Sequence, residues 1–352
     1  MADNFRVVLQ SRPGATGVTC DDHFRCESCD YPTRDLAAGE VLLRAEYLSI
    51  DPALRCTLNE DTGVDYVQSQ RLNETIVGFS GIGRVVKSAH AAFKEGDAIF
   101  AGIGFWWQKF FIVDMNAKLE AGWINVDPTI YGPNPVVHVM SLTAATSLIG
   151  LWEKGNIKKD GEQTLVVSGA AGACGSLAGQ MGSLLGCKRV VGICGSDEKC
   201  RWLTEELGFN GAINYKSDDI SAKLKELCPQ GVQVYFDNVG GHVSDCVIAE
   251  MTTDSHIILC GQISAYNEDL PYPPPIPDST QSILTQRNIT RDRFTIVNYP
   301  HRILEAVQQF GVWVSEGRVK VRASISEGLE TAGPSFVSMM NGGNIGKQLV
   351  HI

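Results

Sequence analysis

Between Val136 and Cys260 the chain alternates segments of helical length with short apolar runs, and this alternation constrains its fold more than any other feature. Val136–Trp152, Ser176–Leu185, Glu198–Leu207 and Ala222–Leu227 have the length and composition of helices. Thr164–Ser168, Val190–Cys194, Ala212–Asn214, Val232–Asn238 and His256–Cys260 are short and rich in β-branched and apolar residues. Strands buried on both faces read as continuous apolar runs, which is the pattern of a parallel sheet. Crossovers between parallel strands of one sheet are right-handed, so this stretch is expected to form an α/β, doubly wound parallel sheet.

The strand Thr164–Ser168 runs into Ala170-Ala171-Gly172-Ala173-Cys174-Gly175, and a helix is expected from about Ser176. A glycine-rich loop between a buried strand and a helix is the dinucleotide fingerprint, here with alanine in place of its first glycine. Gly172 lets a pyrophosphate approach the backbone and Gly175 lets the helix pack against its strand. The helix start offers free N–H groups and the positive end of its dipole to phosphate. About 20 residues on, where such folds hold the adenosine ribose, the next strand ends in Cys194-Gly195-Ser196 without a carboxylate. A missing acid leaves room for a 2′-phosphate, with Ser196 and Lys199 as its ligands, and favours NADPH over NADH. Asp197 and Glu198 sit where acids serve a helix N-terminus. The plainer alternative makes Lys199 a solvated surface residue.

Two other glycine runs lack the context of a phosphate site. Gly78-Phe-Ser-Gly81-Ile-Gly83 leads into a strand pattern, and Gly342–Lys347 is one residue short of a phosphate loop, with Gln348 where Ser or Thr is needed. A chain of 352 residues suggests two domains, and a formal charge of −10 argues against a nucleic-acid partner. Val136–Trp152 is apolar but holds His138, Ser141, Thr143, Thr146 and Ser147, so it reads as a buried helix rather than a membrane span. Met1–Gln10 lacks a basic segment followed by an apolar one, and a cytoplasmic protein is expected. Cys174, Cys187, Cys194 and Cys260 fall in or beside expected core strands and the glycine loop, where cysteine acts as a small apolar residue. Cys26 and Cys29 have no second pair at zinc-ribbon spacing. No tyrosine has a lysine four residues later, which excludes the Tyr-x₃-Lys pattern of short-chain dehydrogenases. Residues before about 130 carry short β patterns broken by Gly, Pro and Asp, including Val41–Tyr47, Gly83–Val86 and Phe110–Val113, in the style of a partly open β-barrel. Pro271–Pro277 is stiff and reads as polyproline II.

The Ala-Ala-Gly-x-x-Gly loop, Phe236-Asp-Asn-Val-Gly-Gly241 and Gly343-Asn-Ile-Gly-Lys347 together resemble the zinc-independent medium-chain dehydrogenase/reductases. Asn59–Tyr66, Val166–Gly175, His256–Ser264, Pro271–Pro275 and Met340–Val350 are most similar to the prostaglandin reductases among them. The resemblance runs from about residue 5 to the end. It implies a GroES-like catalytic domain over residues 1–135, a Rossmann-type NADPH-binding domain over 136–305, and a return segment, 306–352, that completes the first. It also implies NADPH-dependent reduction of the C=C bond of a small lipid enone, typified by 15-oxo-prostaglandins, without a metal. Where zinc alcohol dehydrogenases carry Gly-His-Glu, this chain has Gly78-Phe79-Ser80.

Carried over by the same resemblance, Gly172, Ala173, Cys174 and Gly175 hold the pyrophosphate, and Lys199 and Tyr215 the 2′-phosphate. Asn238 contacts the ribose side. Cys260, Gly261, Gln262, Ile263, Ser264, Ala265 and Tyr266 follow the nicotinamide half, with Asn344 near its amide. Tyr66 and Tyr266 are the expected catalytic groups, and Ile103, Gly104, Phe294, Thr295 and Ile296 line the substrate cleft. Without the family, half-buried packing would be the simpler account of either tyrosine. The chain departs from the family's pattern at Ala53, at Ser141–Thr146, which is closer to quinone reductases, and at Phe105-Trp-Trp107. Those departures bear on which enone is preferred and leave open a quinone or short-enal reductase, or an NADPH-binding protein with little turnover. Monomer and homodimer also remain open.

Overall fold

The computed structural model describes residues 3–62, 68–119, 122–126, 134–159 and 161–352. The chain divides into two compact units, Met1–Val139 with Arg322–Ile352, and Met140–Val321.

The second unit is built on six strands in the order Gly211–Asn214, Arg189–Cys194, Thr164–Ser168, Val232–Asp237, Met251–Leu259, Thr290–Arg293. Every neighbouring pair is parallel, as the continuous apolar runs require. All five residues of Thr164–Ser168 are buried, at the centre of the sheet. The chain moves outward from this strand to Gly211–Asn214 and then returns to its other side with Val232–Asp237. The strand order therefore reverses between Thr164–Ser168 and Val232–Asp237, and ligands of open α/β sheets bind at the carboxyl ends beside such a switch.

The helix Ala173–Leu185 carries glycine at 175, 179 and 182, one helical face. A Cβ at these positions would lie 2.4 Å from Gly169 O, 2.0 Å from Phe209 and 2.2 Å from Leu165, so the stripe brings the helix backbone against the sheet. The segment Glu198–Leu207, expected as one helix, is an α-helical turn over Asp197–Arg201 followed by a π-helical turn over Trp202–Glu206. The helix Pro135–Lys154 is long and apolar enough to cross a membrane by length and composition, and 67% of its most apolar window is buried within the fold. At Gly150 a Cβ would stand 3.1–3.4 Å from Ile258, Phe236 and Phe294, which places that stretch of helix directly on the sheet.

The first unit holds a mixed sheet around the long strand Glu40–Ile50. Gly81–Ser88 pairs along one edge, with register shifts at Leu42/Leu43 and Ala45/Tyr47. The other edge is shared, Phe110–Asp114 pairing with Glu40–Arg44 and Lys347–His351 with Tyr47–Ile50. Bulges of this kind bend a strand and curl its sheet, giving the partly open barrel. Its core is aromatic: Phe105, Trp107, Phe111, Trp123 and Phe336 are at most 1% exposed.

Candidate active site

The loop after Thr164–Ser168 turns at Gly169, whose φ of +59° lies in the left-handed region that suits glycine. The tight turn of the fingerprint is thus one residue earlier than the alanine-for-glycine reading placed it. Ala170 then occupies a fully buried position and donates its N–H to Ile193 O at 3.0 Å. Gly172 stands at the N-cap of Ala173–Leu185 in extended conformation, and no side chain caps the helix. A Cβ at Gly175 would meet Gly169 O at 2.4 Å and Ala170 Cα at 2.7 Å, both backbone. The first N–H groups of a helix have no carbonyl partner within it, so this arrangement is an anion cradle.

On the other side of the switch the strand Val232–Asp237 ends in a carboxylate that is 1% exposed. Asp237 Oδ1 accepts from Ser168 Oγ (3.0 Å), Tyr235 OH (2.9 Å) and the N–H groups of Val239 and Gly240 (3.0 Å each). Its Oδ2 accepts from Ser244 Oγ (2.6 Å) and Gln262 Nε2 (3.0 Å). Burial, then the neighbouring carboxylate, push the Tyr235 phenol well above its ordinary range, so it stays a donor. Asn238 donates its N–H to Ser168 Oγ at 2.9 Å and its side-chain amide to Ser168 O at 2.8 Å. Of these residues only Asn238 and Gln262 have site roles expected from sequence; Asp237, Val239 and Gly240 enter there only as part of the Phe236–Gly241 motif. The available signal was an Asp closing a mostly buried strand, Val232–Asp237.

Cys174 and Cys260 come together on this edge. A hydrogen bond with Cys174, then burial, hold the Cys260 thiol well above its usual range, which keeps it protonated and unreactive. Ser147 Oγ donates to Cys174 O at 3.0 Å.

At the end of Arg189–Cys194, Ser196 caps the turn Asp197–Arg201, its Oγ accepting from Lys199 N at 3.2 Å. Asp197 Oδ1 accepts from Nδ2 of Asn214, the last residue of the adjacent strand, at 2.7 Å. Lys199 is half-buried, and its ammonium is pulled below the ordinary lysine range, chiefly by burial, with Lys216 adding like-charge repulsion. Tyr215 is 46% exposed and lies over Gly195, where a Cβ would stand 2.9–3.1 Å from its ring and hydroxyl. Lys216 is a second cation here that sequence reasoning passed over, although it directly follows Tyr215.

Residues 6–121 match the family model described as the N-terminal domain of oxidoreductase, and residues 173–309 the model described as zinc-binding dehydrogenase. The chain is 35% identical over 351 residues to an NADPH-dependent curcumin reductase of Escherichia coli, covering 99% of this chain and 97% of that one. The chain belongs to the medium-chain dehydrogenase/reductase superfamily. Another relative is prostaglandin reductase 1 of Rattus norvegicus, 34% identical over 95% of each chain. The crystal structure of CurA in complex with NADPH from Vibrio vulnificus is 33% identical and superposes with a TM-score of 0.86, covering 99% of this chain and 98% of that one.

The match to a model named for zinc would call for a set of metal donors. Among the described residues no three His, Cys, Asp or Glu side chains gather at metal-binding distance. Phe79 packs against the aromatic core and Ser80 is 4% exposed. The donor set does not fit zinc at Gly78-Phe79-Ser80, and no chemical step is routed through a metal.

The remaining expected site residues of this superfamily member fall in both units. In the second, Ile263–Ala265 forms a single 3₁₀ turn and Tyr266 N–H donates to Ile263 O. The Tyr266 hydroxyl stands over Gly261, where a Cβ would be 3.6 Å from it. Phe294 is 3% exposed and stacks 5.7 Å from Tyr299, so its ring belongs to the packed interior, while Thr295 and Ile296 are half-buried. In the first unit, Ile103 is 43% exposed and its carbonyl accepts from Trp123 Nε1 at 2.8 Å; Gly104 has a φ of +86°. Asn344 donates its amide to Gly346 O at 2.7 Å. Tyr66 lies outside the described residues.

Proposed function

We propose that this chain is an NADPH-dependent reductase of the C=C bond of α,β-unsaturated ketones. Its preferred substrates are 15-oxo-prostaglandins, converted to the 13,14-dihydro products, in the manner of prostaglandin reductase 2 (15-oxoprostaglandin 13-reductase). The observation that carries the reading is the carboxyl edge of the parallel sheet. It offers an uncapped helix N-terminus behind Gly172, and a neighbouring strand end where Asp197 is engaged by Asn214 while Lys199 and Lys216 supply positive charge. These features fit a pyrophosphate and a 2′-phosphate. The NADPH-dependent and prostaglandin-reducing relatives support the same reading.

When bound, NADPH supplies the hydride that the β-carbon of the enone accepts. Every other task falls to the protein. Gly172, Ala173, Cys174 and Gly175 take the pyrophosphate; Ser196, Lys199 and Tyr215 take the 2′-phosphate. Asn238, the segment Cys260–Tyr266 and Asn344 orient the nicotinamide half. Ile103 and Gly104 of the first unit and Phe294, Thr295 and Ile296 of the second are the proposed substrate-lining residues. As charge moves onto the ketone oxygen, a phenol donor there stabilises the enolate more than the ketone, and Tyr66 and Tyr266 fill that role. Water returns the proton to the α-carbon. The reaction then rests on orientation and electrostatics.

Ala53 and the segment Ser141–Thr146 favour a second reading, a quinone or short-enal reductase using the same cofactor residues. Steady-state NADPH oxidation with a 15-oxo-prostaglandin, a short enal and a quinone separates the two. The highest kcat/KM on the prostaglandin, unaltered by exhaustive chelation, is expected. Preference for the quinone would replace the first reading with the second.

A further inference from the structure

Asp237 is not a packing residue by chemistry, since an apolar side chain of similar volume would fill its place in the sheet without charge. Its carboxylate is nevertheless 1% exposed, and the donors that satisfy it are the phenol of Tyr235, the hydroxyls of Ser168 and Ser244, two backbone N–H groups and the Gln262 amide. These donors come from segments far apart in the sequence that line the carboxyl edge. Ser168 is the last strand residue before the Gly169 turn, Val239 and Gly240 belong to the loop carrying Asn238, and Gln262 belongs to the segment Cys260–Tyr266. The Asp237 carbonyl also accepts from Cys260 N (2.9 Å) and Gly261 N (3.0 Å). Gly240, at a φ of +76°, lets this approach happen, because a Cβ there would lie 2.3 Å from Gln262 Oε1.

We propose that Asp237 is the positioning residue of the nucleotide site, one carboxylate that fixes the Gly169, Asn238 and Cys260–Gln262 segments relative to one another. This rests on the reading of the edge as an NADPH site. Through Ser168 the same network sets Asn238, whose backbone N–H donates to Ser168 Oγ and whose amide nitrogen donates to Ser168 O. The opposite end of the edge is held separately, Ser196 by the Lys199 N–H and Tyr215 by the bond from its N–H to Cys194 O. Asp237 therefore governs one half of the cofactor and leaves the other alone.

That division supplies the test. Asp237→Asn keeps the side chain's size but sets an amide where Ser244 and Gln262 donate. Binding of NADPH and of adenosine 2′-monophosphate, which carries the 2′-phosphate without the pyrophosphate or the nicotinamide half, is measured by calorimetry beside thermal unfolding. The expected result is an NADPH affinity lower by about tenfold, from the charge-assisted bonds lost. Adenosine 2′-monophosphate affinity stays at the wild-type value. Tyr235→Phe and Ser244→Ala, each removing one donor from a residue outside the proposed ligand set, should weaken NADPH by roughly threefold, and they carry the test if Asp237→Asn does not fold. Unchanged NADPH affinity in all foldable variants would overturn the proposal. So would a parallel loss of both ligands with the melting temperature, the signature of a purely structural role. Wild-type protein that binds neither ligand would instead refute the NADPH reading itself.

Discussion

The two ends of the sheet edge in Met140–Val321 use polar groups in opposite ways. Around Asp237 the groups are buried, each committed to a partner, and drawn from segments far apart in the sequence. Around Ser196, Lys199 and Tyr215 they are half-buried or exposed and come from two neighbouring strand ends. Burying a charge is tolerable only where several donors meet it, and the reward is fixed geometry. A half-exposed lysine is inexpensive to keep charged and recognises an anion by Coulomb attraction with little demand on angle. The end expected to hold the reacting ring is built for position, and the end expected to tell NADPH from NADH is built for charge.

The loop between the two ends should give the largest effect. At Gly175 a methyl group would lie 2.4 Å and 2.7 Å from backbone atoms of Gly169 and Ala170, so the turn itself must move. Gly175→Ala is expected to lower NADPH affinity by more than about a hundredfold, because the cradle's N–H groups lose their common aim. Gly172→Ala meets only Gly169 O, at 3.2 Å, and should be clearly milder. Fluorescence titration of both variants decides it; equal losses would mean that the loop gives way as freely at Gly175 as at Gly172.

Next in size is the positional end. Tyr266→Phe removes a hydroxyl near Gly261 and leaves the ring. If that hydroxyl donates to the developing enolate, kcat falls by roughly a hundredfold while NADPH affinity holds. A wild-type kcat on a 15-oxo-prostaglandin would return Tyr266 to packing. At the charge end, Lys199→Ala should weaken NADPH by about tenfold, the lower part of the range for a charge-assisted bond, since Lys199 is half-exposed and Lys216 remains. NADH affinity should not change, and a matched loss for NADH would show that Lys199 does not read the phosphate.

What could be read beforehand divides along the same line. Thr164–Ser168 was legible because all five positions are buried and its composition says so. The absent carboxylate after Cys194 was legible because it is local. The Asp237 network was not, since Ser168 and Gln262 lie 69 and 25 residues from it and only strand order brings them together. Gly169 was overlooked because the fingerprint spacing aligned on Ala170, while the positive φ falls one residue earlier. In the other unit the short β patterns were visible, but the division of Glu40–Ile50 between Phe110–Asp114 and Lys347–His351 depends on pairings that no local pattern encodes. Phe294 could be assigned to the cleft by family position alone; its burial against Tyr299 and Gly150 needed the fold.

The smallest expected effect separates charge from position most cleanly, because it leaves the covalent structure intact. Burial holds the Lys199 ammonium below the ordinary lysine range, and Lys216 pushes in the same direction. A 2′-phosphate pairs with the protonated amine, so NADPH affinity should decline a few-fold as pH rises through this lowered pKa, starting below the ordinary lysine value of about 10.4. The contribution of Lys199 to the stability of the free protein has the opposite sign. Its folded pKa lies under its unfolded one, the unfolded chain holds more protons in that window, and folding is favoured as pH rises. Falling affinity with no fall in the Lys199 share of stability therefore cannot be ascribed to alkaline unfolding. Lys199→Arg keeps its charge throughout and should flatten the NADPH profile. NADH should show no such decline in either protein. If NADPH binding to the wild type is level with pH while Lys199→Ala still weakens it, Lys199 acts by position, and the contrast between the two ends of the edge fails at this residue.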